Sequence, residues 1–325
     1  MDLLFLGTSS GTPTKARNVS GLALLDGSGK GWYLIDCGEA TQHQLLRTPL
    51  SLHGLRAIFI THVHGDHCYG LPGLLATAGM ARRREPLDII VPAAIEGWVR
   101  ATLGMSQSGL PYELNFHATE TLDAWSNSRL EVEPIALSHR IPSWGFRFSE
   151  ACPDPRLNTD KLDLDGVPRG PIWGQLARGV DVEFPDRVIR SDDYLMPTRL
   201  ARRIVIAGDN DRPELLREAC RNAHVLVHEA TYTQSVAAAG KTVFGHSTAA
   251  QVAAFAADVR LPNLVLTHFS ARYQSAGAKG HSIDDVQNEA AALYDGQLVL
   301  AEDFMQLTLS KDMVLKRIAG QSKNH

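Results

Sequence analysis

Cysteine is scarce: Cys37, Cys68, Cys152 and Cys220 lie far apart, with no Cys-x-x-Cys pair. A chain of 325 residues with 44% apolar content can bury a sizeable core and needs no disulfide staples, so buried reduced thiols are expected. Long apolar runs are missing too. None approaches the ~18 residues of a membrane span, and no charged, apolar and small-residue leader opens the chain, which makes a cytoplasmic protein without a membrane partner the expectation. Nor is there an excess of positive charge. The formal net charge of -4 excludes an overall basic footprint, so a nucleic-acid partner would need a local patch.

What is present is an alternation of short apolar runs and helical segments. The opening is β-rich, with Leu3 to Leu6, Gly21 to Leu25 and Trp32 to Asp36 separated by glycine-bearing turns. Ala40 to Arg47, Gly70 to Met80, Ile95 to Leu103, Pro213 to Asn222 and Thr248 to Ala257 have helical patterns. Leu55 to Ile60, Leu87 to Val91, Leu130 to Leu137, Arg203 to Ala207, Val225 to Val227 and Leu264 to Leu266 have the length of strands. Such alternation predicts an α/β fold, with two similar halves facing each other as an architecture consistent with it. From about Ala151 to Asp192 the rhythm breaks into Pro, Gly and Asp with one short helical stretch, as expected of an inserted loop or arm.

The chemistry concentrates in Thr61-His62-Val63-His64-Gly65-Asp66-His67, directly after a buried strand. Imidazole nitrogens and carboxylate oxygens suit zinc and related divalent ions. Four such groups within six residues can reach one small volume, and Gly65 is expected to let the backbone turn tightly between them. Without partners, burying them would cost several kcal/mol. Two metals need more ligands, and His139, Asp209 and His268 close three further strands. Each alone could be a turn residue; together they complete a set in which Asp209 could bridge.

These strings resemble the metallo-β-lactamase superfamily and, within it, the ribonuclease Z family. The resemblance is carried by Phe5-Leu6-Gly7-Thr8, Arg17-Asn18-Val19, Asp36-Cys37-Gly38-Glu39-Ala40-Thr41-Gln42 and the metal string followed by Gly70-Leu71-Pro72-Gly73. Further along it rests on His228-Glu229-Ala230-Thr231, Gly245-His246-Ser247-Thr248 and His268-Phe269-Ser270-Ala271-Arg272-Tyr273. The metal string says only superfamily; the later strings are narrower.

The resemblance implies an αββα sandwich, two β-sheets flanked by helices, as one domain over residues 1–325 with a flexible arm at 151–192 that serves as an RNA-binding exosite. It implies two divalent ions per subunit, zinc or alternatively manganese, one held by His62, His64 and His139, the other by Asp66, His67 and His268, with Asp209 between them. The implied activity is removal of 3′ trailers from precursor transfer RNA by a homodimer. Asp66 could accept the proton of the attacking water, and His246, oriented by Glu229, would protonate the leaving ribose oxygen. The bland roles are a helix cap for His246 and a structural carboxylate for Glu229.

Gly166 to Gly174 resembles the glycine-proline element of that arm. Yet Ala151 to Asp186 holds four basic and seven acidic residues, a net of -3 and poor chemistry for gripping phosphate. Arg82-Arg83-Arg84 or Arg272 could supply the contacts instead, or be solvated surface. Asn210 departs from the threonine that usually follows the aspartate in the family. A hydrolase of small phosphodiesters or sulfate esters, and a metal- or RNA-binding regulator without turnover, are the alternatives.

Overall fold

The computed structural model describes residues 1–27, 29, 31–239, 245–277 and 280–318. Among them, eight strands form one sheet in the order Leu315–Ile318, Gln306–Leu309, Asp2–Gly7, Gly21–Leu25, Trp32–Cys37, Leu55–Phe59, Leu87–Val91 and Leu114–Ala118. Seven form a second sheet, in the order Gln297–Leu300, Asn263–Thr267, Val225–Glu229, Arg203–Ile206, Ser143–Glu150, Leu130–Leu137 and Trp125–Ser126. The inner faces meet through aromatic rings. Phe59 of the first sheet lies 5.2 Å, edge-on, from both Phe146 and Phe148 of the second, a geometry favoured by the ring quadrupoles.

Helices cover the outer faces, which makes the fold the expected αββα sandwich. In Leu71–Met80 the buried residues are Leu71, Leu74, Leu75 and Ala78, one helical face that joins the cluster under the first sheet. Ala249–Asp258 starts at a capping box in which the Thr248 hydroxyl accepts from the Gln251 amide and the Gln251 side chain reaches back. Its buried Val252, Ala253 and Ala256 pack on the second sheet with Val286 and Ala290 of Ile283–Ala291. The patterned strands and helices appear within a residue or two of their expected bounds. Pro213 to Asn222 differs: it is a 3-10 turn, Pro213–Leu216, followed by a short helix, Arg217–Cys220.

Four strands of each sheet run parallel, Trp32–Cys37 through Leu114–Ala118 in one and Arg203–Ile206 through Gln297–Leu300 in the other. Carboxyl ends of parallel strands are where open α/β sheets place ligand-binding residues, and the histidine string and Asp209, Glu229 and His268 all lie there.

A second compact unit comprises Ser126–Glu131 and Ser149–Arg202. It has its own core of Leu162, Val167, Leu176, Ile189 and Tyr194. Two helices, Thr159–Leu164 and Pro171–Ala177, and two short strand pairings, Arg156–Leu157 with Leu195–Met196 and Val182–Glu183 with Val188–Ile189, replace the largely irregular arm expected from sequence. Short helices with one buried leucine each leave little periodicity to read. Several of its acids are engaged internally: Glu150 with Arg199 and Arg202, Asp154 with Arg199, Asp163 with Arg169, Asp165 with the Tyr194 hydroxyl and Asp181 with Ser191. Among the described residues no helix is long and apolar enough to cross a membrane.

Candidate metal centre

His62 follows the strand Leu55–Phe59, His64 caps the next turn, and Gly65–Cys68 is one turn of helix that presents Asp66 and His67. His139 follows Leu130–Leu137, Asp209 follows Arg203–Ile206 and His268 follows Asn263–Thr267. All seven converge. His62 Nε2 and His139 Nε2 lie 3.0 and 3.2 Å from His64 Nδ1. On the other side His67 Nε2 is 3.2 Å from His268 Nε2, and Asp66 Oδ2 lies 3.5 and 3.4 Å from those two nitrogens. Asp209 stands between the groups with its oxygens divided. Its Oδ2 is 3.6 Å from His62 Nε2 and 3.8 Å from His139 Nε2, while Oδ1 is 3.5 Å from His67 Nε2 and 3.4 Å from His268 Nε2.

This donor set fits metal. Ligands held about 2.1 Å from one tetrahedral ion are themselves about 3.4 Å apart, close to the spacings observed. The outward nitrogens explain which lone pairs face inward. Thr61 Oγ1 donates to Asp36 Oδ2 at 3.0 Å, so it must accept from His62 Nδ1 at 2.9 Å. His67 Nδ1 donates to Asp36 Oδ2 at 2.7 Å and His139 Nδ1 to the Gly245 carbonyl at 2.7 Å. Thr231 Oγ1 donates to Glu229 Oε2 at 2.7 Å and accepts from His268 Nδ1 at 3.1 Å. Four imidazoles thus carry their proton on Nδ1 and turn Nε2 lone pairs toward the centre, the arrangement that orients metal-binding histidines. His64 is the exception and turns Nδ1 inward, with Nε2 3.4 Å from Arg140 Nη2.

Burial holds His62 well below the usual imidazole range, and His67, His64 and His139 push the same way against Asp209. His67 is also buried, yet Asp209, Asp36 and Asp66 raise it well above that range, a field that favours positive charge on the inner side of His67, either a proton on Nε2 or a cation in its place. Asp209 resists its own burial because His268, His67 and His62 surround it, and its carboxyl is held well below the carboxylate range.

His246 lies beside this cluster, its Nδ1 3.3 Å from Glu229 Oε1 and 3.7 Å from Asp209 Oδ2. Burial alone would lower its pKa, but the Glu229 hydrogen bond and charge, with Asp209 behind, raise it to about 9. Thr248, not His246, caps the following helix. Glu229 is 1% exposed and structurally committed as well. Its oxygens accept from the amides of Ser247 at 2.8 Å and Thr231 at 2.9 Å. Gly245 has φ +72, and a Cβ there would come within 2.9 Å of His139 Nδ1, so glycine is required for the carbonyl that holds His139.

Three expectations change. Gly65 is not among the glycines with a left-handed backbone; a Cβ there would meet the Tyr69 ring at 2.3 Å, so a side chain would displace that ring. Arg83 is buried, with its guanidinium donating to the carbonyls of Leu52, Leu55, Glu85 and Pro86, so it is no phosphate contact. Asn210, where the family usually has threonine, is tied into the site's surroundings on two sides. It is fully buried, its Oδ1 accepts from the Ser138 amide at 3.2 Å, and its carbonyl accepts from the Ser247 hydroxyl at 2.6 Å. Asp36, Thr61 and Thr231 were not assigned roles from sequence, although Asp36 and Thr231 lie in strings that carry the resemblance.

A curated ribonuclease Z from Pseudomonas putida (strain W619) is 55% identical over 98% of this chain and 100% of its own length. The chain belongs to the ribonuclease Z family. Among solved structures, human tRNase Z, short form, matches with a TM-score of 0.64 at 27% identity, covering 95% of this chain and 99% of the human one. The metallo-beta-lactamase fold protein YhfI from Bacillus subtilis matches with a TM-score of 0.63 at 16% identity over 94% of this chain and 98% of its own, a likeness of fold alone. A family model described as Anti-Pycsar protein Apyc1 matches residues 1–139. The ribonuclease Z family and this fold make the chain a metal-dependent hydrolase, an endoribonuclease, rather than a hydrolase of small esters or a regulator without turnover.

Proposed function

We propose that this chain removes 3′ trailers from precursor transfer RNA, leaving a 3′-hydroxyl on the transfer RNA and a 5′ phosphate on the trailer. The full-length identity to curated ribonuclease Z carries the reading. His62, His64 and His139 would hold one divalent cation and Asp66, His67 and His268 a second, with Asp209 offering one oxygen to each. Zinc is the proposed ion, with manganese the alternative. Such ions, when bound, supply Lewis-acid charge to the phosphodiester and lower the pKa of water toward neutrality.

The remaining work falls to the chain's own groups. Asp66 accepts the proton that water loses as it adds to phosphorus; the bond from phosphorus to the ribose 3′ oxygen breaks. That oxygen needs a proton, and His246 carries one at neutral pH. Its Nδ1–H is engaged by Glu229, so the proton leaves from Nε2. Glu229 keeps the imidazole oriented because the Ser247 and Thr231 amides hold its own oxygens.

We assign recognition of the transfer RNA body to the arm within Ser149–Arg202, as part of a cytoplasmic homodimer. With several of its acids engaged internally, the exposed Arg156, Arg178 and Arg190 are the groups that would meet phosphate. A panel of precursor transfer RNA, bis(p-nitrophenyl) phosphate and an aryl sulfate, assayed with metal present, tests the reading. Endonucleolytic cutting of the precursor is expected; hydrolysis of the small esters with the precursor untouched would overturn it.

A further inference from the structure

We propose that Tyr69 is a stacking platform for the base of one of the two nucleotides that flank the scissile phosphate. The inference rests on the endoribonuclease reading and extends it to a substrate-binding residue. Tyr69 lines the cavity of about 410 Å³ into which His64, Asp66, His139, Asp209 and His246 also face. Among the described residues lining it, Tyr69 alone carries a carbocyclic ring. The residue is 65% exposed although it adjoins the most buried chemistry of the molecule.

Three observations place it. The Tyr69 amide donates to the Gly65 carbonyl at 2.9 Å, which closes the helical turn that presents Asp66 and His67. The ring lies directly on Gly65, where a Cβ would come within 2.3 to 2.6 Å of three ring atoms. Gly65 sits between His64 and Asp66, so the ring stands over the segment that contributes a donor to each group of the centre. Behind it Trp98 packs at 6.1 Å and is itself anchored on the core of the first sheet. An aromatic ring that rests on backbone and beside a second ring has less freedom to lose when substrate arrives, which lowers the ordering cost of stacking.

The chemistry that matches is a nucleobase. A phosphodiester bound between the two donor groups has a base one sugar away on either side, and every base offers a π-face whatever its sequence. That suits an enzyme acting on many precursors with different flanking bases. Val63, 38% exposed on the same turn, is aliphatic and offers no such face.

The test is a double-mutant cycle between Tyr69→Ala and an abasic nucleotide placed on either side of the cleavage position in a precursor transfer RNA. Stacking on an aromatic ring corresponds to a loss of about 5- to 150-fold in kcat/KM when either partner is removed. With the wild-type chain an abasic site at one of the two positions should cost that much. In Tyr69→Ala the same abasic site should cost nothing further, and Tyr69→Phe should restore the full penalty. Metal content and melting temperature of the variants, both expected to match wild type, show that the centre and fold are intact. Equal abasic penalties in wild type and Tyr69→Ala at both positions would overturn the inference alone. A metal-loaded wild type that leaves the precursor uncut would overturn the functional reading beneath it.

Discussion

Replacing Asp36 with asparagine removes one charge and changes one atom, yet it should weaken metal binding more than its distance from the cavity suggests. Asp36 Oδ1 accepts from the Thr61 amide at 2.8 Å, a bond the asparagine oxygen can keep. Its Oδ2 accepts from both the Thr61 hydroxyl and His67 Nδ1. An amide nitrogen there meets two donors with a third. Thr61 must turn its hydroxyl away, and His62 Nδ1 loses a fixed acceptor. His67 is free to move its proton to Nε2, which puts hydrogen where a lone pair is needed. Loss of such outer support costs 10- to 100-fold in metal affinity, about 1.4 to 2.8 kcal/mol, in line with one charge-assisted hydrogen bond. Competition with a chromophoric chelator, read for each bound ion, measures it. The ion held by His67 should weaken most. Unchanged metal affinity in Asp36→Asn would refute the argument that Asp36 sets the tautomers.

Three other outcomes are expected. His246→Ala should lower kcat by about 10²- to 10⁴-fold while metal content stays full; turnover near wild type would remove His246 as proton donor. Acid should loosen the unit of Ser149–Arg202 through Glu150. Burial would raise its pKa, but hydrogen bonds from Arg199 and Arg202 outweigh that and hold it well below the usual carboxylate range. A depressed folded-state pKa gives stability that is complete above the unfolded value of about 4.3 and lost as pH falls below it. Amide exchange in this unit should therefore accelerate below about pH 4, and Glu150→Gln should flatten that dependence. Phe146→Ala removes a fully buried ring from between the sheets and should cost about 3 to 5 kcal/mol by chemical denaturation.

How much of this was legible beforehand depends on range. The donors were readable because they obey a local rule: polar, chelating residues closing apolar strands at His62, His139, Asp209 and His268. Parallel strands near their expected bounds then bring the ends at His62, Asp209 and His268 together, and Leu130–Leu137 of the second sheet adds His139. Asp36 shows what is not legible. It closes a strand as other donors do, but it faces the back of His67, and only the three-dimensional register tells front from back. Gly65 had the right residue and the wrong reason, since the clash is with a ring four positions on rather than with the backbone. In the run of three arginines the middle one is buried against four carbonyls, a tertiary arrangement with no periodic signature. The compact unit around Leu162 and Leu176 was hidden because its helices are too short to show a face.

The central claim is endonucleolytic cleavage of a precursor transfer RNA at its 3′ end by the metal-loaded chain. Sequencing both termini of the products tests it most directly. The account expects a transfer RNA ending in a 3′-hydroxyl and a trailer beginning with a 5′ phosphate, both lost when metal is stripped and restored when it is returned. Products ending in a 2′,3′-cyclic phosphate, or trimming one nucleotide at a time from the 3′ terminus, would contradict it.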